Sequence, residues 1–567
     1  MKTNSTKGLF LVVVVLFASS CFKDGVLNLT NGLAFNVNAK LLPAPITVTF
    51  VNADPGVSNI PEDIYLDFFG EGALKLFTPT GGSNLVVVEG MVHIGVKDEV
   101  KPSANSPLRF GMEVEAPGFY PATYFVSLYN KDIPQYVTVY LVQKGNTPSG
   151  VSDKKEIHQV PSTGFTSSQN LETPLINGKK EKAKLSIQPG TKLLTINDAL
   201  VTGNVQVSLV HYDNRSSVSL RSISGITESI PATGLAGEDL GNISFYSAGL
   251  YMLQLYAGSV NADRFSKPVQ INLTLNPQTY NPETGQYVKA GDVIGLWRFD
   301  ERENRWKGMG QAEVKEEFGK LTLSFEQTYA GVCMAAQAAN LCEEGATLRI
   351  KSGIPEGACA RSFYTTLVDI NTGKPLSTKW SDNYLPMDNN SRISLTNIPE
   401  NAIAKLQVWE GVKGCEGQLL AESQPFSACD ADEFQLDLSE LNTQGWLPLS
   451  MSLTGYCTVN GVEVEIPPTS SITYRPAGCG VYGLLGELEE GQGCIATLKK
   501  GAVYDFKTRL GTEVFEFMQI PIEDGEIHYT LANGETAIIR VETDPGGAKL
   551  SIEGLPLPED ICELGGE

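Results

Sequence analysis

Histidine is scarce in this chain, and its four copies, His93, His158, His211 and His528, lie far apart. None stands in HExxH or another ligand spacing, and no G-x-S-x-G elbow accompanies them, which removes the usual zinc- and serine-hydrolase motifs. There is no Walker loop, no G-x-G-x-x-G leading from a strand into a helix, and no CxxC pair. Basic residues are also in short supply. The 43 Lys and Arg stand against 65 Asp and Glu, a formal charge of −22, so the surface repels nucleic acid and has no basic patch to offset that. Charged residues make up only 19% and aromatics 8%, while glycine (56) and proline (31) are plentiful. That balance predicts strands and turns rather than long charged helices.

What the chain does have begins at its N-terminus. Lys2 and Lys7 precede an uncharged run, Leu9 to Ala18, and Ala18-Ser19-Ser20 stand immediately before Cys21. A charged start, a short apolar run and small residues at a cleavage point make a secretory signal, and the run is too short to span a bilayer. Ending on cysteine, it resembles a bacterial lipoprotein signal, which implies cleavage after residue 20 and lipidation of Cys21. Phe22-Lys23-Asp24 looks like the Lys-acidic export signal of Bacteroidetes surface lipoproteins. The resemblance implies an outer-membrane protein, lipid-anchored and facing the exterior. An ordinary cleaved signal with no role for Cys21 is the plainer alternative.

Residues 21–45 carry little periodicity and read as a tether. From Ile46 apolar residues alternate, with further runs at Leu85–Val88, Phe110–Ala116, Tyr124–Leu128 and Tyr136–Leu141. Short alternating strands between turn signals predict an all-β chain of tandem immunoglobulin- or transthyretin-like sandwiches, the first over 46–142. Phe110 to Tyr120, running into Pro117-Gly118, resembles the strand and turn of carboxypeptidase-regulatory-like modules. Residues 143–182 are poor in aromatics and carry mixed charge runs, such as Lys154-Lys155-Glu156, which reads as a linker. A second sandwich is expected over 183–314, a third over 321–438 and a fourth over 446–567. Ala-rich Ala330 to Leu341 reads as a short helix. Asn460-Gly461 and Asn533-Gly534 mark hairpins.

In the second unit, Leu296-Trp297-Arg298-Phe299-Asp300 is followed by Arg305-Trp306 and Gly310-Gln311-Ala312. This "LW-x-FD…W…G-x-A" order resembles β domains of bacterial surface lipoproteins and of the cartilage intermediate layer protein group. Trp297, Phe299 and Trp306 can either fill the sandwich core, the preferred reading, or present one aromatic face. In sugar-binding proteins such a face stacks on pyranose rings.

Nine cysteines cluster late: Cys333, Cys342, Cys359, Cys415, Cys429, Cys457, Cys479, Cys494 and Cys562. In an exported chain they predict disulfides with one cysteine left over, in a pairing that sequence does not fix. Asp430, Asp432 and Glu433 form an acidic cluster that fits either a structural calcium ion or a solvated loop, the loop preferred because no EF-hand spacing is present.

No cofactor is otherwise expected. The preferred function is a non-catalytic surface lipoprotein, a modular scaffold or accessory subunit that binds other surface proteins or an outer-membrane barrel. The alternative is a glycan-binding lipoprotein of a nutrient-uptake system, with Trp297, Trp306, Trp380, Trp409 or Trp446 as platforms. A glycoside hydrolase ranks below both, because paired carboxylates need only be close in space but no stretch of barrel-enzyme length is free of linkers.

Overall fold

The fold was analysed in a computed structural model. It describes residues 46 to 562 apart from short internal stretches, the longest being 79–84, 224–229, 353–358, 377–382 and 439–444. Cys21, the signal and the tether lie outside the described residues.

The chain is all-β, as its alternation implies. In the first unit, Ile46–Asn52 pairs antiparallel with Met91–Val96 and parallel with Gln135–Leu141. A second sheet of Tyr65–Phe69, Leu108–Glu115 and Ala122–Leu128 faces it. Phe110, Met112 and Val114 point into the core between the sheets and Arg109 and Glu115 point out, which is the period of two made visible. Leu85–Val88 does not form the expected strand; Val88 makes only an isolated bridge to Met91.

The second unit is larger than expected at both ends. Val151–Val160 pairs along its whole length with Gly203–Tyr212, and Gln169–Glu172 pairs with Lys182–Ile187. The segment read as a linker therefore supplies two strands. Its charges misled because Val151–Val160 is an edge strand, and charged side chains on an edge discourage further pairing.

Beyond residue 314, Lys320–Tyr329 and Gly331–Ala339 also belong to this unit. The expected helix at Ala330 to Leu341 is instead a central strand between Asp239–Ala257 and Val293–Asp300. Helix propensity is local and weak, whereas this strand is covered on both faces. Cys333 and Ala335 face the sandwich interior, while Met334 and Ala336 face a different apolar cluster.

That other cluster is where the units meet. It combines Tyr120, Tyr140 and Val142 of the first unit with Val210, Leu250, Met252, Trp297, Phe299 and Trp306 of the second, and continues into the core of the fourth. Phe125 of the first unit lies 5.0 Å from the Phe299 ring. First and fourth units also touch: Thr47 Oγ1 donates to Ser471 Oγ at 3.2 Å, and Arg509 donates to the carbonyls of Val86 and Met91 at 3.2 and 3.3 Å. His93 is buried beside them, and burial, then Arg509, push its pKa down to about 3, so it stays neutral in this joint.

The third unit holds Thr347–Lys351, Ser362–Asp369 and Ile403–Val412 among its strands, and the fourth Trp446–Val459, Val503–Leu510 and Gly547–Pro556. Their border is shared, since Trp446 packs into the third unit's core 5.5 Å from Phe363. Disulfides add to this. Cys342–Cys429 closes the third unit and Cys457–Cys562 the fourth, whereas Cys359–Cys494 and Cys415–Cys479 run between them. Cys333 is the one unbridged cysteine among the described residues and is buried.

Candidate functional site

The strand Leu108–Glu115 of the first unit and the turn after Val293–Asp300 of the second come together around an open cleft of about 170 Å³. Its floor is made where two sheet faces turn toward one another: Tyr124 and Tyr140 from one side, Leu250, Met252 and Phe299 from the other. Its mouth is polar, with Glu301, Arg302, Asn261 and the part-exposed Ile196 in contact with solvent. An apolar floor under a polar rim is the usual build of a binding pocket.

The rim is acidic. Glu113 of the first unit faces Glu301 of the second, with Asp263 and Asp300 nearby. Although Glu301 is exposed as a residue, protein crowds its carboxyl. Loss of hydration, then the charges of Glu113, Asp263 and Asp300, push its pKa up to about 7. Glu113 is shifted upward by burial, then by Glu115 and Asp67. Burial and the same carboxylates raise the Tyr256 phenol to about 12, so it remains a hydroxyl donor.

Arg302 stands at the mouth beside Glu301, while two other nearby cations are already engaged. Arg298 stacks over Tyr329 at 4.2 Å, and Asp300 pairs with Lys307 at 3.0 Å and Arg298 at 3.3 Å. Two carboxylates crowded together hold their protons more tightly than in water, which is why both are shifted upward.

The sequence-predicted aromatics lie behind this cleft. Val293–Asp300 and Arg305–Glu317 do form the hairpin that the LW-x-FD order implies. Trp297 and Trp306 are only 8% and 0% exposed and pack edge-on against Phe245 at 5.1 and 5.4 Å. The Trp297 indole N–H donates to the Ala336 carbonyl at 3.1 Å. Neither ring can stack on a sugar from this position. Of the three, Phe299 alone reaches the cleft, as part of its floor. These aromatics face out of their own sandwich and join it to the first unit. Trp446 is buried too, Trp409 is half-buried, and Trp380 lies outside the described residues.

The acidic cluster is also differently employed. The Glu433 carboxylate pairs with Arg349 at 3.7 Å and Arg392 at 3.4 Å, Asp430 is exposed, and Asp432 lies outside the described residues. Among the described residues no group of three His, Cys, Asp or Glu is arranged to hold a metal ion.

The cleft itself was not foreseen. Glu113 and Glu301 are far apart in sequence and lie on different units, so no spacing announces them. Phe318-Gly319 is different, because a phenylalanine at the centre of a charged two-residue turn is visible in sequence. Its turn joins Arg305–Glu317 to Lys320–Tyr329, with Glu317 opposite Lys320. Both turn residues have positive φ, 51° and 71°, as a type I′ turn requires. Asparagine is the usual residue at the first position, and a bulky side chain there is strained. The Phe318 ring is fully exposed.

No protein-family model matches the chain, and no curated protein does either. Comparison with solved structures finds a streptococcal ancillary pilin, 10% identical, with 48% of this chain and 94% of that one aligned at a TM-score of 0.12. It also finds the TIE protein of Bacillus anthracis, 12% identical, covering 72% and 58% at 0.11. A major pilin subunit of Bacillus cereus is 11% identical, covering 90% and 98% at 0.10. Scores this low establish no shared fold, and the conclusions below rest on the chain itself.

Proposed function

We propose that the protein is a non-catalytic scaffold of an extracytoplasmic surface, held at the outer membrane through lipid on Cys21, whose units present binding faces in fixed relation to other surface proteins or to an outer-membrane barrel. The disulfide pattern carries this reading. Eight cysteines are bridged, two of the four bonds linking the third unit to the fourth, and such bonds persist in an oxidising compartment. A chain of sandwiches needs no covalent ties between neighbours merely to fold; ties between units fix their relative orientation, which matters to a scaffold. The aromatic packing between the first and second units supports the same reading.

Purification of the tagged protein from its native envelope in gentle detergent, with mass spectrometry of what accompanies it in constant ratio, tests the proposal. A stoichiometric envelope protein is expected. Recovery of the chain from the soluble cytoplasmic fraction, unlipidated and unaccompanied, would contradict it.

A further inference from the structure

The first and fourth units meet sheet face to sheet face. In the first, Ile46, Val48, Val92 and Ile94 enter the core, so alternation along the strands turns Thr47 and His93 outward. In the fourth, Ile472, Tyr474, Phe506 and Leu510 enter the core, which turns Ser471 and Arg509 outward. Thr47, His93 and Ser471 are nonetheless buried, because each face covers the other. The contact joins residues 424 apart in sequence, and no disulfide among the described residues crosses it.

The hydrogen bonds fix the form of the histidine. Thr47 has one hydroxyl proton and gives it to Ser471, so the 2.9 Å contact between Thr47 Oγ1 and His93 Nδ1 is a bond donated by Nδ1–H. Nε2 is then the bare nitrogen, buried and without a hydrogen-bond partner among the described residues. A proton added there would find no acceptor and would stand near the Arg509 guanidinium, which is held by the carbonyls of Val86 and Met91. Arg509 bears on the ring from the fourth unit, and among the described residues no carboxylate offsets it. Lys507, the next outward residue on the same strand, is also basic and buried.

We propose that this joint is an acid-released latch: when His93 takes a proton at Nε2, the two faces part and the first unit leaves the fourth, while the disulfides hold the third and fourth units together. The sense follows from burial. The ring charges at its ordinary 6.5 when the joint is open and only at about 3 when it is closed. The open form therefore binds the extra proton between those values, and the latch, fully set above about 6.5, loosens as pH falls toward 3. Between pH 7 and 4.5 the opening constant should rise about 70-fold. Glu301, at the joint of the first and second units, acts on overall stability in the opposite sense, so the latch must be read locally.

A thiol placed in the joint reads its opening. Ser471→Cys is reached by reagent only when the faces part, Glu513→Cys supplies an exposed control on the same unit, and buried Cys333 reports unfolding of the chain. The full chain is pulsed with dithiodipyridine, which reacts with thiols in acid as well as at neutral pH, and the labelled peptides are measured by mass spectrometry. Labelling at position 471, relative to position 513, should rise about 70-fold from pH 7 to 4.5 with Cys333 untouched. His93→Asn keeps a donor for Thr47 but takes no charge, and should abolish the rise. In the unaltered chain, NMR of labelled histidine should find the His93 ring neutral at pH 5. A flat ratio, the same rise in His93→Asn, Cys333 labelled in step with position 471, or a His93 ring charged at pH 5 would each overturn the proposal.

Discussion

The contact between Phe125 and Phe299 gives the claim that the first two units are one body a measurable form. The rings are 5.0 Å apart and tilted by 53°, one on each unit. Phe299 is almost fully buried, and truncating such a residue to alanine costs about 3–5 kcal/mol. Phe125 is half-buried, so Phe125→Ala should cost less, on the order of 1–2 kcal/mol by the area it covers. If the rings touch in solution, the double variant should cost less than the sum of the singles by about 0.5–1.5 kcal/mol, the usual worth of an aromatic pair beyond its burial. Urea unfolding followed by tryptophan fluorescence reads this well, because Trp306 lies 5.4 Å from Phe299. A coupling of zero within about 0.3 kcal/mol would mean that the pair is not formed and that the two sandwiches move independently.

Other consequences follow from the same geometry. Replacing Cys415 and Cys479 by alanine opens a loop of 64 residues, which should lower stability by about 4 kcal/mol on the chain-entropy account and hasten proteolysis between the third and fourth units. Burial pushes the Cys333 thiol up to about 12, so alkylation at neutral pH should proceed only on unfolding. Modification of the native chain within minutes would contradict its burial. Glu301 titrates near 7 when folded and near its ordinary 4.5 when unfolded. The folded state then binds the extra proton between those values, and stability should fall as pH rises from about 4.5 to 7. Glu301→Gln should flatten that part of a melting-temperature profile.

Much of the strand pattern was legible. Phe110–Ala116 and Tyr124–Leu128 fall within observed strands, to within a residue, because in each one face enters a core and the other is less buried. Legibility failed where a strand has some other environment. Gly331–Ala339 is buried on both faces from Cys333 to Gln337, so its run of small apolar residues shows no alternation and looks helical. Val151–Val160 sits at an edge, and its charges look like a linker. The aromatic hairpin was recognised as a hairpin, but whether Trp297 and Trp306 faced a ligand or a neighbour depended on the first unit, whose approach no local spacing encodes. The same holds for the cleft, since Glu113 and Glu301 acquire their shared electrostatics only when two units meet. The late cysteines announced disulfides by number, yet which unit each bond serves is a property of packing.

Disulfide mapping bears most directly on the reading of a locked scaffold. Protein from its native envelope, with thiols blocked at lysis, would be digested without reduction and its linked peptides identified by mass spectrometry. Cys359 joined to Cys494 and Cys415 to Cys479, with Cys333 blocked only after denaturation, is the expected result. Free cysteines throughout, or bonds confined within each unit, would contradict it.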